Sequence, residues 1–155
     1  MVGAGSEEDE KRLRDMIRDA DADGYIEMRG AAADPVQYYR TADIALVCSR
    51  MEAFGRVTVE AMFAGALVIG ADNAGTSELI RNGDTGLLYD SDDTESLADR
   101  MEYALLHRQE MRETAKRGRT AMLGNMTAVK NAEYVNDLYL SITGDRRSAK
   151  QWQHE

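Results

Sequence analysis

The sequence predicts an α/β fold in which a parallel sheet is flanked by helices. Short apolar runs bounded by glycine alternate along the chain with stretches whose apolar residues recur every three or four positions. Alternating strand and helix signals of this kind are typical of parallel sheets whose strands are joined by helices. The clearest alternation lies between Ile44 and Tyr89, where three strand signals occur.

The first forty residues predict two short strands and two helices. Residues 1–5 indicate the end of a strand that runs into a glycine turn, and residues 25–29 indicate a second strand. Between them, residues 7–20 carry apolar side chains at helical spacing. Residues 35–41 fit a short helix, because Asp34 is a suitable N-cap and proline suits the first helical position.

The rest of the chain alternates as far as Tyr89 and is helical afterwards. Strands are predicted at residues 44–48, 67–69 and 86–89, and helices at 56–64, at 76–81 and from Thr94 onward. The acidic run from Asp90 to Asp93 supplies an N-cap and negative charge at the start of the last helical region. Cys48 ends a strand and is expected in the core, since a free cysteine behaves as a small apolar group.

Composition restricts the class of protein. The 155 residues suit one domain, which we expect at residues 1–143, with a disordered polar tail at 144–155. A net charge of −9 argues against binding to nucleic acid or to an anionic membrane surface. One cysteine, no long apolar run and no signal-peptide pattern make the cytoplasm the expected compartment, with peripheral membrane association of a full-length protein left open.

The loop after the strand at 44–48 has the features of an anion-binding site. It runs from Arg50 to Gly55, and the next helix begins at Arg56. Ligands of open α/β sheets bind beyond the carboxyl ends of the strands, and the free N–H groups of a helix start can hold a phosphate. The amides of Gly55, Arg56 and Val57 are so placed, and Gly55 lets a ligand approach the backbone closely.

Two glutamates accompany this helix start. Helical side chains lean toward the N-terminus, so Glu60 should reach the same ligand, where a carboxylate suits the vicinal hydroxyls of a ribose. Glu52, in the loop, is free to bind sugar hydroxyls. Because aspartate and glutamate fill 28 positions, a purely solvated role for either glutamate stays open on the residues alone. Arg56 is either a cation for phosphates or a solvated surface charge, and Phe54 either packs on the core or flanks the sugar.

The segment from Glu52 to Glu60, Glu-Ala-Phe-Gly-Arg-Val-Thr-Val-Glu, resembles the Glu-x7-Glu motif of family 4 glycosyltransferases. These are retaining enzymes of the GT-B fold, also called glycosyl transferases group 1. Flanking segments are similar to the family as well, namely Ala42-Asp43, Gly75-Thr-Ser-Glu78, Asn82-Gly83 and Gly86-Leu-Leu88. The resemblance extends from Met1 to about Ile142 and implies the C-terminal, nucleotide-sugar-binding domain, a Rossmann-like lobe.

The resemblance implies a nucleotide diphosphate-sugar as donor substrate, with neither cofactor nor metal. The implied contacts are Glu52 as the catalytic candidate that binds the donor sugar, Phe54, Gly55, Arg56 and Val57 for sugar and diphosphate, Glu60 for the ribose, and the backbone of Gly30 and Ala31 for the base. Glu52 is not assigned as a nucleophile. The Asp21-Ala-Asp23 triplet matches the Asp-x-Asp pattern of a metal-binding motif, but it is expected to be a solvated turn.

The chain departs from the family pattern at two positions of the motif. Ala53 stands where the family often has proline, and Arg56 where it often has leucine. Family members also open this domain with a strand and helix whose arginine and lysine bind the diphosphate. This chain is expected to begin after them and to lack the acceptor-binding domain.

A hexosyltransferase fragment that is inactive alone is therefore the expected function. The strand at 44–48 would then lack a neighbour, and we expect dimerisation, swapping or direct pairing of strands to close the gap. The alternatives are a non-catalytic nucleotide-sugar-binding module and a protein-interaction domain of the same fold.

Overall fold

A computed structural model describes residues 1–50, 53–126 and 128–143. The elements in chain order are α1 (Glu7–Asp19), α2 (Val36–Thr41), β1 (Ile44–Val47), α3 (Arg56–Ala64), β2 (Leu67–Ala71), α4 (Ala74–Leu79), β3 (Leu87–Tyr89), α5 (Thr94–Leu106), α6 (Arg108–Asn125) and α7 (Ala128–Thr143). The chain divides into two compact units, Met1–Tyr38 and Tyr39–Glu155. The expected domain limits of 1–143 stay a prediction, and the expected disordered tail at 144–155 lies outside the described residues.

The first unit contains α1 and two extended segments. Ser6 caps α1 by accepting a hydrogen bond from the Asp9 amide. Four acidic residues in the first turn stabilise the helix further, because its N-terminus carries a partial positive charge. The strands predicted at 1–5 and 25–29 do not form. The two segments are extended and joined by backbone hydrogen bonds from Arg29 N to Met1 O and from Gly3 N to Gly30 O. Tyr25 lies in a turn, in which the amides of Tyr25 and Ile26 both donate to Ala22 O, so no strand begins there.

Helix α2 begins close to where the sequence predicts it. The Asp34 carboxylate accepts a hydrogen bond from Val36 N at 3.0 Å, so this residue caps the helix as expected. The helix starts at Val36, one residue after the proline.

The second unit is built on a parallel sheet with the order β1-β2-β3. Ile44 pairs with Leu67, and Ile69 pairs with Leu87. Every residue of the central strand β2 is buried, whereas β1 alternates and leaves Leu46 42% exposed. The prediction that the strand at 44–48 is buried is therefore wrong for part of β1, because β1 is an edge strand.

The prediction that Cys48 lies in the core is also wrong, for a related reason. Its side chain is exposed rather than part of the core. The residue lies just beyond the last paired residue of β1, Val47, on the edge strand.

Two apolar clusters cover the two faces of the sheet. One contains Val47 and Val68 together with residues of α3, and the other contains Ile69 and Leu87 together with residues of α5 and α6. Helix α6 also packs closely against the turn before β3 at Gly118, where an added Cβ would lie 2.4 Å from the carbonyl oxygen of Thr85. Glycine at this position thus sets the distance between α6 and the turn before β3.

Helices α1 to α3 have limits within one residue of the predicted ones, whereas α4 departs further. Helix α3 has the predicted limits and ends at Gly65, which has a φ of 94° as expected of a C-terminal glycine. Helix α4 begins at Ala74, two residues earlier than predicted, since Asn73 ends the preceding turn in an extended conformation. Asp93 caps α5 as predicted by accepting from the amides of Glu95 and Ser96.

Candidate functional site

The carboxyl ends of the three parallel strands meet at one edge of the sheet, where open α/β sheets bind their ligands. Residues 48–50 follow β1, residues 72 and 73 follow β2, and residues 90–92 follow β3. Helix α3 begins a few residues beyond β1 at the same edge. We refer to this region as the site edge.

Gly55 is the N-cap of α3 and has a backbone conformation suited to glycine. Its φ is 76° and its ψ is 46°, in the left-handed region. An added Cβ would lie 3.0 Å from Leu79 Cδ1 and 3.5 Å from Thr58 Oγ1. Among the described residues no side chain caps α3, and its first turn has no acidic residue. The first N–H groups of this nine-residue helix are thus uncapped by those side chains and suited to an anion.

Glu60 lies one turn into α3 and forms an ion pair with Arg56. Arg56 Nε is 3.6 Å from Glu60 Oε1, and the side chains are 83% and 31% exposed, respectively. An exposed pair at this spacing contributes little to stability, about 0.3–0.5 kcal/mol. The uncapped helix start therefore has a cation and a carboxylate beside it, and both side chains remain available to a ligand.

Tyr39 lies close to Glu60 and contacts one of the two apolar clusters. Burial, and secondarily the negative charge of Glu60, raises the pKa of the Tyr39 phenol. The sequence alone did not single out this tyrosine, because no local pattern connects it with Glu60.

The structure decides one alternative for the loop. Phe54 is 54% exposed, so it does not pack in the core. Val57, in the first turn of α3, is also partly exposed. Apolar side chains are thus presented to solvent beside the helix start.

For two predicted parts of the site, the structure gives no position relative to α3. Glu52, the catalytic candidate, lies outside the described residues, as does Met51. Gly30 and Ala31, expected at the base, belong to the first unit, and Gly30 has a φ of 65°. The roles assigned to Glu52, Gly30 and Ala31 stay predictions.

The structure adds a set of polar side chains that the sequence analysis did not select. Asn73 Nδ2 donates to Ser49 O at 2.9 Å and to Ser91 Oγ at 3.2 Å. Arg50 Nε lies 2.8 Å from Asp92 Oδ1. The signal that could have identified these residues is their position, since each comes shortly after the end of a strand.

Tyr89 and Cys48 form a further link at the site edge. Burial and a hydrogen bond with the Cys48 thiol raise the pKa of Tyr89 to about 12.

Three buried polar atoms near the starts of α3 and α4 lack a hydrogen-bond partner among the described residues. They are Thr58 Oγ1, Asn73 Oδ1 and Thr76 Oγ1. Most buried polar atoms in proteins are paired, so unpaired ones need an explanation such as a bound molecule or a functional role. Their concentration at one edge sets this region apart from the rest of the second unit.

Neither a metal cluster nor a membrane span occurs in the described part of the chain. Residues 1–50, 53–126 and 128–143 contain no group of three or more metal-binding side chains. Asp21 lies in a turn with a φ of 52°. Over the same ranges, no helix combines the length and apolar character that crossing a bilayer requires.

The parallel sheet and its surrounding helices define an α/β protein with the geometry of a Rossmann-like lobe, in which helix α3 begins at an uncapped glycine. A family profile described as glycosyl transferases group 1 matches residues 1–121. The chain belongs to this family, and it corresponds to the C-terminal domain of its members.

Individual relatives agree with this assignment. The chain is 42% identical over 77 residues to a D-inositol 3-phosphate glycosyltransferase of Nocardia farcinica (strain IFM 10152), an overlap covering 50% of this chain and 17% of the relative. It is 31% identical over 108 residues to an N-acetyl-alpha-D-glucosaminyl L-malate synthase of Bacillus anthracis, covering 70% of this chain and 28% of that relative. The chain thus spans well under half the length of these curated relatives.

A solved structure extends the similarity to the fold. Anabaena Alr3699/HepE in complex with UDP-glucose superimposes with a TM-score of 0.82 at 26% identity, over 90% of this chain and 40% of that chain. The α/β fold predicted from the sequence is therefore confirmed, as is the family.

Proposed function

We propose that the chain is the donor-binding part of a retaining, family 4 hexosyltransferase, which moves a sugar from a nucleotide diphosphate-sugar to an acceptor. The observation that carries the proposal is the start of α3, where left-handed Gly55 leaves the first amides uncapped and Glu60 lies one turn further on. The UDP-glucose bound by Anabaena Alr3699/HepE supports this class of donor.

Each part of the donor has a proposed partner. The amides of Gly55, Arg56 and Val57 receive the diphosphate, because helix N-termini favour negative charge. Glu60 accepts hydrogen bonds from the ribose hydroxyls, and Glu52 accepts from hydroxyls of the donor sugar. The backbone of Gly30 and Ala31 meets the base, and exposed Phe54 lies beside the sugar.

Arg56 has two roles in this proposal. Without ligand it pairs with Glu60. When the diphosphate binds, its guanidinium turns toward the phosphates and leaves the Glu60 carboxylate to the ribose. A cation next to the phosphates also stabilises the negative charge that the diphosphate gains as the bond to the sugar breaks.

The chain alone is proposed to be catalytically incomplete. It spans 28% or less of the length of the two curated relatives named above. Transfer needs an acceptor hydroxyl held at the anomeric carbon, and we assign the binding of that acceptor to the remainder of a longer protein. A cytoplasmic location of that protein is part of the same proposal.

Because β1 pairs only with β2 among the described strands of the second unit, we propose that the isolated chain dimerises through the other side of β1. Leu46 is exposed on this edge strand, and unpaired strand edges readily pair with other chains. Sedimentation velocity over a hundredfold range of concentration tests this, with Leu46→Lys as the variant expected to remain monomeric. A wild-type chain that is monomeric throughout contradicts the dimer.

The first test of donor binding is ligand-observed NMR with UDP-, GDP- and ADP-sugars. We expect one nucleotide class to bind, and Glu60→Ala to weaken that binding by about ten- to hundredfold, the cost of a lost hydrogen bond to a charged group. Glu113→Ala is the matched control, because Glu113 is a glutamate of α6 that pairs only with Lys116 in the described residues. Equal binding by the two variants would contradict the ribose role.

Two alternatives remain within the same fold, and a longer protein separates them. A non-catalytic nucleotide-sugar-binding module shares the dependence on Glu60 but transfers no sugar when the rest of the protein is restored. A protein-interaction domain binds no nucleotide even then. Sugar transfer by the longer protein, lost in Glu60→Ala, supports the enzyme over both.

A further inference from the structure

We infer that Asn73 is a positioning residue for the donor-binding loop, an inference that rests on the function proposed above. Asn73 follows the central strand β2 and reaches to both outer strands. Its Nδ2 donates to Ser49 O, just beyond β1, and to Ser91 Oγ, just beyond β3. One side chain thus joins the three strand ends from which the site edge is formed.

The hydrogen-bond chemistry fixes which atoms face each other. A peptide carbonyl can only accept, so the amide nitrogen of Asn73 must face Ser49 O. A carboxylate has no proton to donate there and would repel the carbonyl oxygen. Asparagine can therefore make this hydrogen bond at position 73 and aspartate cannot, although the two side chains have the same shape.

A second link runs beside the first. Arg50 Nε lies 2.8 Å from Asp92 Oδ1, with the side chains 86% and 63% exposed. Such an exposed pair is weak alone. Asp92 has a φ of 66°, a conformation that costs energy for a residue other than glycine. Ser49 and Arg50 are thus held by two contacts, of which the Asn73 amide is the more sheltered.

These contacts matter because Arg50 leads into the proposed donor-binding loop. Glu52 and Phe54 lie further along this loop, and Gly55 precedes the first residue of α3. Asn73 holds Ser49, just before the loop begins, and Gly55 at the other end of the loop is the N-cap of α3. A loop with fixed ends loses less conformational freedom when a ligand binds, so affinity for the groups it contacts is greater. Those groups are the donor sugar and the diphosphate, whereas the ribose depends on Glu60.

Asn73→Asp is the decisive variant, because it removes the donor and keeps the size. We expect faster amide hydrogen exchange at residues 53–57 and an affinity for UDP-glucose lowered about tenfold, which corresponds to the loss of one hydrogen bond. Affinity for uridine, which keeps the base and ribose but lacks the donor sugar and the diphosphate, should change less than about twofold. The ratio of the two affinities is the readout, since a general loss of structure lowers both alike.

Asn82→Asp is the matched control. Asn82 Oδ1 accepts from Leu88 N at 3.0 Å, and a carboxylate oxygen can accept in the same way. This variant introduces the same charge without removing a donor, so exchange and affinities should stay as in the wild type. Ser91→Ala removes one of the two acceptors of Asn73 and should give a smaller change of the same kind, which keeps the test informative if Asn73→Asp does not fold.

The outcomes separate the two proposals. Wild-type exchange at 53–57 in both Asn73→Asp and Ser91→Ala overturns the positioning role, as does an equal loss of affinity for UDP-glucose and uridine. If the wild-type chain binds neither of these ligands nor a GDP- or ADP-sugar, the proposed function fails on its own, while the exchange data still decide whether Asn73 orders residues 53–57.

Discussion

Among the described residues, four threonines are fully buried, and they fall into two regions that differ in whether the hydroxyl has a partner. Beside α6, Thr85 Oγ1 accepts from Arg81 N and Thr114 Oγ1 accepts from Arg117 Nη2. At the starts of α3 and α4, Thr58 and Thr76 have no partner among the described residues. Unpaired buried hydroxyls cost stability. The α6 region is thus organised for stability, and the site edge retains polar groups that do not contribute to it.

The largest expected effect tests the α6 region. Gly118→Ala should destabilise the fold by about 3 kcal/mol, because its Cβ would collide with the Thr85 carbonyl at 2.4 Å and with Met62 Cε at 3.0 Å. Gly124→Ala, in the same helix with no atom within 4 Å of the added Cβ, should instead stabilise by about 0.5–1 kcal/mol. Urea unfolding measures both. Equal midpoints would show that α6 does not pack as described.

The next effect tests the site edge with a pair of glycines of similar conformation. Gly55 and Gly83 have φ values of 76° and 78°, so alanine at either position costs about 1–2 kcal/mol of backbone strain. Only at Gly55 does the new Cβ meet other atoms. We expect Gly55→Ala to be the more destabilising by thermal unfolding and to abolish detectable binding of UDP-sugars. Donor binding retained by Gly55→Ala would argue against the helix start as the diphosphate site.

A smaller effect concerns the paired phenol of the site edge and appears only at alkaline pH. The folded pKa of Tyr89 is about 12, above the ordinary value near 10. Between about pH 10 and 12 the folded state keeps a proton that the unfolded state loses. The stabilisation is therefore complete below about pH 10 and declines as pH rises, by up to about 2 kcal/mol.

Tyr89→Phe should flatten this alkaline decline in the free energy of unfolding, measured by urea titration at several pH values. Tyr25→Phe, at a side chain 91% exposed, is the control for loss of a phenol. A decline of the same slope in Tyr89→Phe and the wild type would show that the phenol is not sheltered.

The smallest effect returns to the threonines. Thr85→Val should destabilise by about 1 kcal/mol, because the Arg81 amide loses its acceptor. Thr58→Val should stay within about 0.5 kcal/mol of the wild type, since the hydroxyl that it removes has no described partner to lose. If the two variants are equally destabilised, the two regions do not differ in the way their buried hydroxyls indicate.

Much of the second unit could be predicted from the sequence, because local signals and packing agree there. Helix α3 has its predicted limits, and the C-terminal glycine and the Asp93 cap result from local chemistry. The strands at 1–5 and 25–29 were predicted from equally short signals and do not form, since strand formation depends on neighbours that a local pattern does not reveal. The same limit explains Cys48, whose exposure results from the position of β1 at the sheet edge.

The geometry at the start of α3 was predictable from the sequence, whereas the residues that surround it were not. Gly55 and Glu60 stand out because a motif and the physics of a helix start coincide there. Asn73 and Asp92 are distant from that motif in sequence, and only the strand order brings them to its loop. The Arg56–Glu60 pair is expected from helical spacing, yet the sequence could not show whether the arginine faces the glutamate or solvent.

The two aspartates with positive φ would respond differently to selection. Asp21 has a φ of 52° and no ion pair among the described residues, whereas Asp92 has a φ of 66° and pairs with Arg50. Asparagine tolerates this conformation as well. Variants selected only for heat resistance should accept asparagine at both positions, while variants selected for donor binding should accept it readily only at 21. An aspartate kept at 92 in laboratory evolution would thus record the demand of a ligand rather than that of the fold.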